Sequence, residues 1–390
     1  MSKTIIPYAR QSISEQDIQA VTEVLRSDWL TQGPAIERFE RTVAGYCGVK
    51  HAVAVNSATS ALHIACLAAG LGPGDLAWTS PNTFVASANC AIYCGGRPDF
   101  VDIDPGTYNM SVADLEEKLL AADKAGRLPR IIIPVHFAGQ SCDMQRIAEL
   151  ARRYRITVIE DASHAVGGRY QAMAIGNCKF SDMAIFSFHP VKIITTGEGG
   201  MVLTNRDDFR EKLIRLRSHG ITRDPAFMTG ESHGGWYYQQ IELGFNYRMT
   251  DLQAALGNSQ LKRLDAFVER RRVLADRYDQ AFASLPIGIP ARTTSADSAW
   301  HLYVIQVDQR RAGISRKGMF DALRAAGILV NVHYLPVHLQ PYYHGLGFKR
   351  GDFPAAEQYY EQAISLPMYP GLSDKEQKLI IREIRGILEG

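Results

Sequence analysis

A single lysine follows an uncharged, largely apolar run in the middle of the chain. Lys192 lies in the segment Phe-Ser-Phe-His-Pro-Val-Lys-Ile-Ile-Thr-Thr-Gly-Glu-Gly-Gly (186–200), between a predicted strand and a loop rich in threonine and glycine. Partial desolvation of an ammonium there would lower its pKa and make the amine available for Schiff-base formation. A lysine that only extends its amine to the surface is the alternative.

A pair of carboxylates closes a second apolar run. Glu160 and Asp161 follow residues 156–159, and His164 stands three residues further on. A carboxylate at the end of a buried strand pays a desolvation cost, which indicates a chemical purpose. The alternative is that Asp161 only caps the turn that follows.

Small and hydroxylated residues begin a predicted helix at the end of a third run. The sequence Asn-Ser-Ala-Thr-Ser-Ala-Leu (56–62) leaves backbone N–H groups free at the positive end of the helix dipole, an arrangement that suits a phosphate. An ordinary serine or threonine N-cap is the alternative interpretation.

These three features have one common explanation. A helix start for a phosphate, an aspartate for a pyridinium nitrogen and a nucleophilic lysine are the groups needed to hold pyridoxal phosphate and use it as an electron sink. Phe84, in the segment 80–85 after another predicted strand, is suited to stack on the cofactor ring, with a core position as the alternative.

The elements that must position these residues alternate along the chain. Short apolar runs at 52–55, 130–135, 156–159, 183–188 and 201–204 predict strands, and the stretches between them predict helices. Unalternated apolar strands interleaved with helices are typical of an α/β domain with a mostly parallel sheet covered on both faces.

The pattern changes after Thr250. A long charged helix is predicted from there to about Ala283, and the rest of the chain predicts a smaller α+β domain. Its predicted elements are strands at 301–307 and 329–334 and helices at 316–326 and 374–388. We therefore divide the chain into residues 1–255, an N-terminal arm with a large domain, and residues 256–390, a linking helix with a small C-terminal domain.

Composition excludes several classes of protein. The chain has 390 residues, with 43 Lys and Arg against 41 Asp and Glu, a net charge of +2. Such balance, without blocks of like charge, argues against a nucleic-acid binder. The sequence has no signal-peptide pattern and no apolar run of about 18 residues, so we expect a cytoplasmic protein that does not enter a membrane. Its six cysteines show no C-x-x-C spacing and predict reduced core thiols rather than a metal site.

Nearly the whole chain, from about Ile6 to Pro370, resembles the DegT/DnrJ/EryC1/StrS sugar aminotransferases. The resemblance rests on the segments 56–62, 186–200 and 242–257, the last reading Glu-Leu-Gly-Phe-Asn-Tyr-Arg-Met-Thr-Asp-Leu-Gln-Ala-Ala-Leu-Gly. It implies a fold-type-I PLP-dependent aminotransferase with a sheet of the seven-stranded type. Segments 137–139, 217–224 and 236–238 are most similar to the branch that makes the 4-amino sugar precursor of pseudaminic acid.

The resemblance also implies roles for individual residues. Lys192 would bond to the cofactor aldehyde and then move protons, Asp161 would pair with the pyridine nitrogen, His164 would lie near the ring and Phe84 would stack on it. Ala58, Thr59 and Ser187 would hold the phosphate, and Asn246 would reach the phosphate of a neighbouring subunit, which implies a homodimer with shared active sites. The implied nucleotide-sugar contacts are Tyr8, Asp28, Trp29, Leu30, Thr31, Asn331, Val332, His333 and Tyr334.

The implied reaction has two stages. An amino donor, L-glutamate, would leave its nitrogen as pyridoxamine phosphate, which would then aminate C4 of a UDP-linked 4-keto-6-deoxy sugar. The alternatives are a 3- or 4-aminotransferase for another UDP- or dTDP-keto sugar, a pyridoxamine-dependent dehydratase, in whose relatives histidine replaces the lysine, and a non-catalytic regulator. The roles of His136, His338 and His344 stay open.

Overall fold

The computed structural model describes residues 5–389. Residues 1–4 and 390, which belong to the two predicted domains, lie outside the described residues. The helices are α1 (Glu15–Leu25), α2 (Pro34–Cys47), α3 (Ala58–Ala68), α4 (Ala86–Tyr93), α5 (Val112–Lys124), α6 (Met144–Tyr154), α7 (Asp207–Arg217), α8 (Asp251–Leu261), α9 (Leu264–Phe282), α10 (Gln309–Ala312), α11 (Arg316–Ala325), α12 (Pro341–His344), α13 (Pro354–Gln362) and α14 (Asp374–Glu389). The strands are β1 (Ile6–Pro7), β2 (His51–Val55), β3 (Leu76–Thr79), β4 (Arg97–Phe100), β5 (Ile131–Ile133), β6 (Thr157–Asp161), β7 (Arg169–Tyr170), β8 (Met173–Ala174), β9 (Met183–Ser187), β10 (Gly200–Thr204), β11 (Ile221–Thr222), β12 (Gln239–Gln240), β13 (Ala296–Asp297), β14 (Tyr303–Gln306), β15 (Ile328–Leu329) and β16 (Ala363–Leu366).

Seven strands form the central sheet in the order β2-β10-β9-β6-β5-β3-β4. Strand β10 runs antiparallel to both β2 and β9, and the remaining pairs are parallel. The predicted mostly parallel, seven-stranded sheet is therefore confirmed.

Helices cover both faces of this sheet. Side chains of α3, α4 and α7 pack with Val53, Val55 and Ile185 on one face. Side chains of α2, α8 and the start of α9 pack with Ala54 and Phe186 on the other. Adjacent residues of one strand thus reach opposite apolar layers, which explains why the strands read as continuous apolar runs.

A separate apolar cluster fills the C-terminal region. It joins side chains of α9, β14, β16, α11 and α14, and it includes the fully buried Ile6 from the start of the chain. Strand β1 pairs in parallel with β15, and the Met368 N–H donates to the Tyr8 carbonyl at 3.0 Å. The first described residues are therefore part of the packing of the last third of the chain.

Several sequence-based assignments of elements differ from the structure, and α12, α13 and β16 lie where only a loop was predicted. The long helix predicted after Thr250 is two helices, α8 and α9, because α8 packs on α1 and α2 while most of α9 packs in the C-terminal cluster. The strand predicted at 329–334 is only β15, because the pairing with β1 ends at Leu329 and Asn331 bridges Ser365 instead. Strand β4 has no predicted counterpart, because it begins with the exposed Arg97 and Pro98 and so does not form an apolar run.

Two further observations concern the described residues as a whole. All six cysteines are buried free thiols, as predicted. None of the helices between residues 5 and 389 is sufficiently long and apolar to cross a bilayer.

Candidate active site

A cleft of about 410 Å³ opens where the carboxyl ends of β2, β3, β6 and β9 meet. This edge of an open α/β sheet is the expected place for a ligand, because loops and helix starts converge on it. Of the residues predicted from the sequence, those that line the cleft are Tyr8, Ala58, Thr59, Phe84, Asp161, His164, Ser187, Lys192, His333 and Tyr334.

Lys192 lies in the loop between β9 and β10. The Lys192 N–H donates to the His189 carbonyl at 2.9 Å, and the Thr196 N–H donates to the Phe188 carbonyl at 3.0 Å, so two backbone bonds close the loop. Burial lowers the pKa of the Lys192 amine to about 8, and the attraction of Asp161 opposes this shift. A larger fraction of the amine is therefore uncharged at neutral pH than for a surface lysine.

Asp161 ends β6 and lines the same cleft as this amine. Its Oδ2 accepts a hydrogen bond from Ser87 Oγ at 2.6 Å, and its Oδ1 accepts one from the Ser163 N–H at 3.1 Å. Ser87 Oγ lies 2.8 Å from Thr83 Oγ1. The aspartate thus caps the following turn, and its carboxylate also lines the cleft, so both interpretations of the sequence apply.

The start of helix α3 also lines the cleft. Ser57 Oγ caps the helix by accepting from the Ser60 N–H at 3.1 Å, and the backbone amides of Ala58 and Thr59 belong to the first helical turn, whose N–H groups lack helical partners. A Cβ atom at Gly200 would lie 2.5 Å from Ala58 N, so only glycine lets β10 approach the helix start.

Phe84 lies at the mouth of the cleft. Its side chain is 57% exposed, and its ring centroid is 6.3 Å from that of Tyr334. The alternative of a core position for Phe84 is therefore wrong.

Three histidines, which we call the histidine wall, form one side of the cleft: His164, His301 and His333. The centroids of the His164 and His301 rings are 4.4 Å apart, His164 Nε2 lies 3.2 Å from the Tyr334 hydroxyl, and His333 Nδ1 lies 2.8 Å from Ser365 Oγ. Burial lowers the pKa of all three, that of His333 to about 4, and the charge of Lys192 adds to each shift. The wall is therefore uncharged at neutral pH.

Other predicted residues lie outside the cleft. Asn246 is exposed, in a backbone bridge with Ser218. Residues 28–31 are exposed between α1 and α2, with Thr31 bridged to Thr250, while Asn331 is bridged to Ser365 and is followed by Val332. Their roles in substrate binding or in a neighbouring subunit's site stay predictions.

The histidines whose roles were left open are not cleft residues. His136 is fully buried, and its Nε2 lies 2.7 Å from Glu160 Oε2. His338 is also fully buried, with its Nε2 2.8 Å from Glu357 Oε1, and His344 is exposed at the end of α12. The two buried rings have structural partners.

The cleft residues that sequence reasoning missed include Thr83, Ser87, Ser163 and His301. Ser163 follows Asp161 closely in the sequence and is the one that turn chemistry would have found. Ser87 and His301 carry no local signal, because helix α4 and the segment before β14 bring them to Asp161 and His164 only in the folded chain.

The comparisons with known proteins agree on one family. Residues 11–385 match the model of the DegT/DnrJ/EryC1/StrS aminotransferase family. The spore coat polysaccharide biosynthesis protein SpsC of Bacillus subtilis is 43% identical over 388 residues, covering 99% of this chain and 97% of SpsC.

Two solved structures superpose over almost the full length. Spr1654 from Streptococcus pneumoniae, a sugar aminotransferase by its description, was solved in a PMP form; it has a TM-score of 0.90 at 32% identity, covering 99% of this chain and 98% of that one. PseC of Helicobacter pylori, an aminotransferase involved in the biosynthesis of pseudoaminic acid, has a TM-score of 0.90 at 31% identity, covering 99% and 100%. These likenesses confirm the predicted fold type.

The residues of the cleft fit pyridoxal phosphate. The Lys192 amine has a lowered pKa, shares the cleft with the Asp161 carboxylate and takes part in no hydrogen bond within residues 5–389. His164 Nδ1 is buried without a hydrogen-bond partner in the described chain. An uncommitted amine, an oriented carboxylate, a buried nitrogen in need of a partner and a helix start match the aldehyde, ring and phosphate of this cofactor.

Proposed function

Because this chain belongs to the DegT/DnrJ/EryC1/StrS aminotransferase family, and is thus a PLP-dependent sugar aminotransferase, we propose that it aminates C4 of UDP-2-acetamido-2,6-dideoxy-β-L-arabino-hex-4-ulose. L-Glutamate is the proposed donor, and pseudaminic acid biosynthesis the proposed pathway. The observation that carries the transamination is the amine of Lys192 beside Asp161 in one cleft. The likeness to PseC supports this sugar.

A second candidate is the amination, at C3 or C4, of another UDP- or dTDP-linked keto sugar. The 43% identity to SpsC, a spore coat polysaccharide protein, favours this alternative, because it exceeds the 31% identity to PseC. A non-catalytic PLP-binding regulator is the remote alternative, and binding of pyridoxal phosphate without turnover of any amino donor would support it. The cytoplasmic location stays a prediction.

Lys192 is the proposed acid and base of the reaction. When bound, pyridoxal phosphate supplies an electron sink for the carbon that loses a proton. Lys192 Nζ takes the proton from the α-carbon of the amino donor, and in the second stage it delivers a proton to the sugar carbon that receives nitrogen. A pKa near 8 suits both directions, because an acid-base group works best when its pKa is close to the working pH.

The remaining residues named here would hold and orient the cofactor. Asp161, fixed by Ser87 and Ser163, keeps the charge of a protonated pyridine nitrogen balanced. The amides of Ala58 and Thr59, with Ser187, would hold the phosphate of the cofactor, and Phe84 would stack on its ring.

The nucleotide sugar enters beside Tyr8 and Tyr334 in this proposal. Residues 28–31, Asn246, Asn331 and Val332 are exposed or lie outside the cleft, and we propose that Asn246 acts across the interface of a homodimer.

The decisive experiment identifies the carbon that receives nitrogen. The protein is incubated with pyridoxal phosphate, L-glutamate and a small panel of UDP- and dTDP-keto sugars, and the products are examined by NMR. Nitrogen at C4 of the proposed UDP sugar supports the first candidate, and nitrogen on another sugar or at C3 supports the second. Failure of borohydride to trap the cofactor on Lys192 would contradict both.

A further inference from the structure

A permanent cation lies buried behind the histidine wall. The Arg271 side chain, in α9, is 1% exposed, and its Nη1 donates to the carbonyls of Trp300, His301 and Met368 at 3.2, 3.2 and 2.8 Å. Its Nε is buried without a partner in the described chain. Burial lowers its pKa to about 9, and none of the carboxylates between residues 5 and 389 opposes this shift.

The two arginines that flank Arg271 in the sequence each bond to a carboxylate. Arg270 Nη2 bonds to Asp374 at 2.8 Å, and Arg272 Nη1 bonds to Glu269 at 2.6 Å. Within residues 5–389, Arg271 forms no ion pair. A buried guanidinium without an anion carries a large desolvation cost, so a negative charge brought close to it would be strongly favoured.

His301 separates this cation from the cleft. Its carbonyl is bonded to Arg271, while its ring lines the cleft and stands 4.4 Å from the His164 ring. The side chain is almost fully buried, and its Nδ1 has no hydrogen-bond partner among residues 5–389. His301 thus combines a ring that lines the cleft with a carbonyl bonded to a guanidinium that has no anionic partner in the described chain.

The other charges of the cleft leave no better place for an anion near Lys192. No arginine lines it in the described chain, its carboxylates are Asp161 and Glu198, and the Lys192 amine is reserved for the cofactor. An amino-acid donor must nevertheless place its α-carboxylate next to the carbon that reacts at Lys192.

We propose that His301, backed by Arg271, is the subsite for the α-carboxylate of the amino donor. The proposal rests on the transaminase function proposed above and names the group that recognises one of its two substrates. The ring of His301 supplies the hydrogen bond, and Arg271 supplies the field that favours an anion over a neutral group. Because the keto sugar bears no carboxylate at its reacting carbon, the subsite serves only the donor half of the reaction.

The test measures the reaction of the holoenzyme with the amino donor alone. Holoenzyme is mixed with increasing L-glutamate in the absence of sugar, and the loss of the cofactor's visible absorption gives the half-saturating donor concentration. Arg271→Met and His301→Phe are expected to raise this concentration roughly 10- to 100-fold, the range for one lost hydrogen bond to a charged group. Arg271→Lys, which keeps the charge, is expected to recover part of the loss.

Matched controls separate this role from a structural one. Arg272→Met replaces the adjacent, partly exposed arginine and is expected to leave donor saturation within about twofold of the parent enzyme. Each variant is also checked for borohydride-trapped cofactor, for its melting temperature and for the sugar half-reaction of its pyridoxamine-loaded form. Retained values in these three measurements, with a raised donor concentration, support the proposal.

Two results would overturn the proposed subsite, and only the second would also contradict the proposed function. If Arg271→Met and His301→Phe bind cofactor and saturate with donor like the parent enzyme, the carboxylate binds elsewhere and transamination stands. If the parent holoenzyme reacts with no amino acid, the proposed function itself fails. Should Arg271→Met not fold, the comparison of His301→Phe with Arg271→Lys decides.

Discussion

At the scale of single residues, the site depends on one amine and its surroundings. Lys192→Ala is expected to lower turnover by at least about 10²- to 10⁴-fold, since it removes both the attachment point and the group that moves protons. Product formation by the purified variant measures the effect. Lys349→Ala, at an exposed lysine remote from the cleft, is the matched control, and a Lys192→Ala variant as active as this control would contradict the assigned role.

The pH dependence of this amine is a second consequence at the same scale. Burial lowers the Lys192 pKa to about 8, so the uncharged, nucleophilic amine increases as pH rises through 8. The rate at which apoprotein captures pyridoxal phosphate should rise over the same range, and stopped-flow absorbance would follow it. Because Asp161 holds the pKa up, Asp161→Asn should move the midpoint to lower pH; an unchanged or higher midpoint would show that the two charges do not interact.

The sequence predicted the reacting residues better than those that support them. Lys192, Asp161 and residues 58–59 follow strands directly, so chain order alone placed them at one edge of the sheet. Ser87 and His301 come from distant segments and carry no motif, because their positions depend on how α4 and the C-terminal region pack.

At the scale of elements, a buried aspartate joins two helices. Asp251, the first residue of α8, accepts from the Gly33 and Ala35 N–H groups at 2.7 and 2.9 Å and so caps α2. Asp251→Ala would leave these amides without an acceptor and should lower the free energy of unfolding by about 1–3 kcal/mol. Urea denaturation measures this, with the exposed Glu37→Ala as control; equal midpoints for the two variants would refute the cap.

The contact between β10 and the start of α3 is also tested at this scale. Gly200→Ala would place a Cβ 2.5 Å from Ala58 N, and backbone atoms of Ser57 are equally close. Displacement of the helix start should weaken cofactor binding, measured as the dissociation constant of pyridoxal phosphate. Gly45→Ala, where an added Cβ meets nothing within 4 Å, is the control, and equal affinities in both variants would count against a phosphate site at α3.

Element boundaries were predictable where local chemistry sets them. Ser14 and Asp17 form the capping box that begins α1, and a spacing of three residues between a serine and an acidic residue is a recognisable sign of such a helix start. No glycine or proline marks the break between α8 and α9 in the sequence. The break arises because the two helices pack against different parts of the molecule. Strand β4 is short and begins with Arg97-Pro98, which conceals it from a search for apolar runs.

At the scale of the whole molecule, large apolar side chains remain on the surface of the single chain. Trp236 and Leu243 are 75% and 77% exposed, and Trp29 and Tyr238 are more than half exposed. Burial of such residues between two copies would remove apolar area from water. This exposure is consistent with the predicted homodimer.

A mixture of two inactive chains tests whether the predicted homodimer shares its sites. If Asn246 of one subunit completes the site around Lys192 of the other, mixed dimers of Lys192→Ala and Asn246→Ala chains contain one intact site. Refolding the two variants together should then restore about a quarter of the parent activity, since half of the dimers are mixed. Sedimentation would report dimers in each sample, and no gain on mixing would contradict a shared site.

The pairing of β1 with β15 joins the first described strand to the C-terminal region. Ile6 is packed in the C-terminal cluster, and Tyr8 stands beside His333, with ring centroids 5.5 Å apart. Tyr8, His333 and Tyr334 therefore form one group of rings attached to the C-terminal region, and they line the same cleft as Lys192 and the start of α3. If the cleft widens for substrate exchange, these three rings are expected to move together with the C-terminal region. A protease cut between Tyr8 and α1 would leave the severed segment bound to that region, because Ile6 is packed there and β1 is paired with β15.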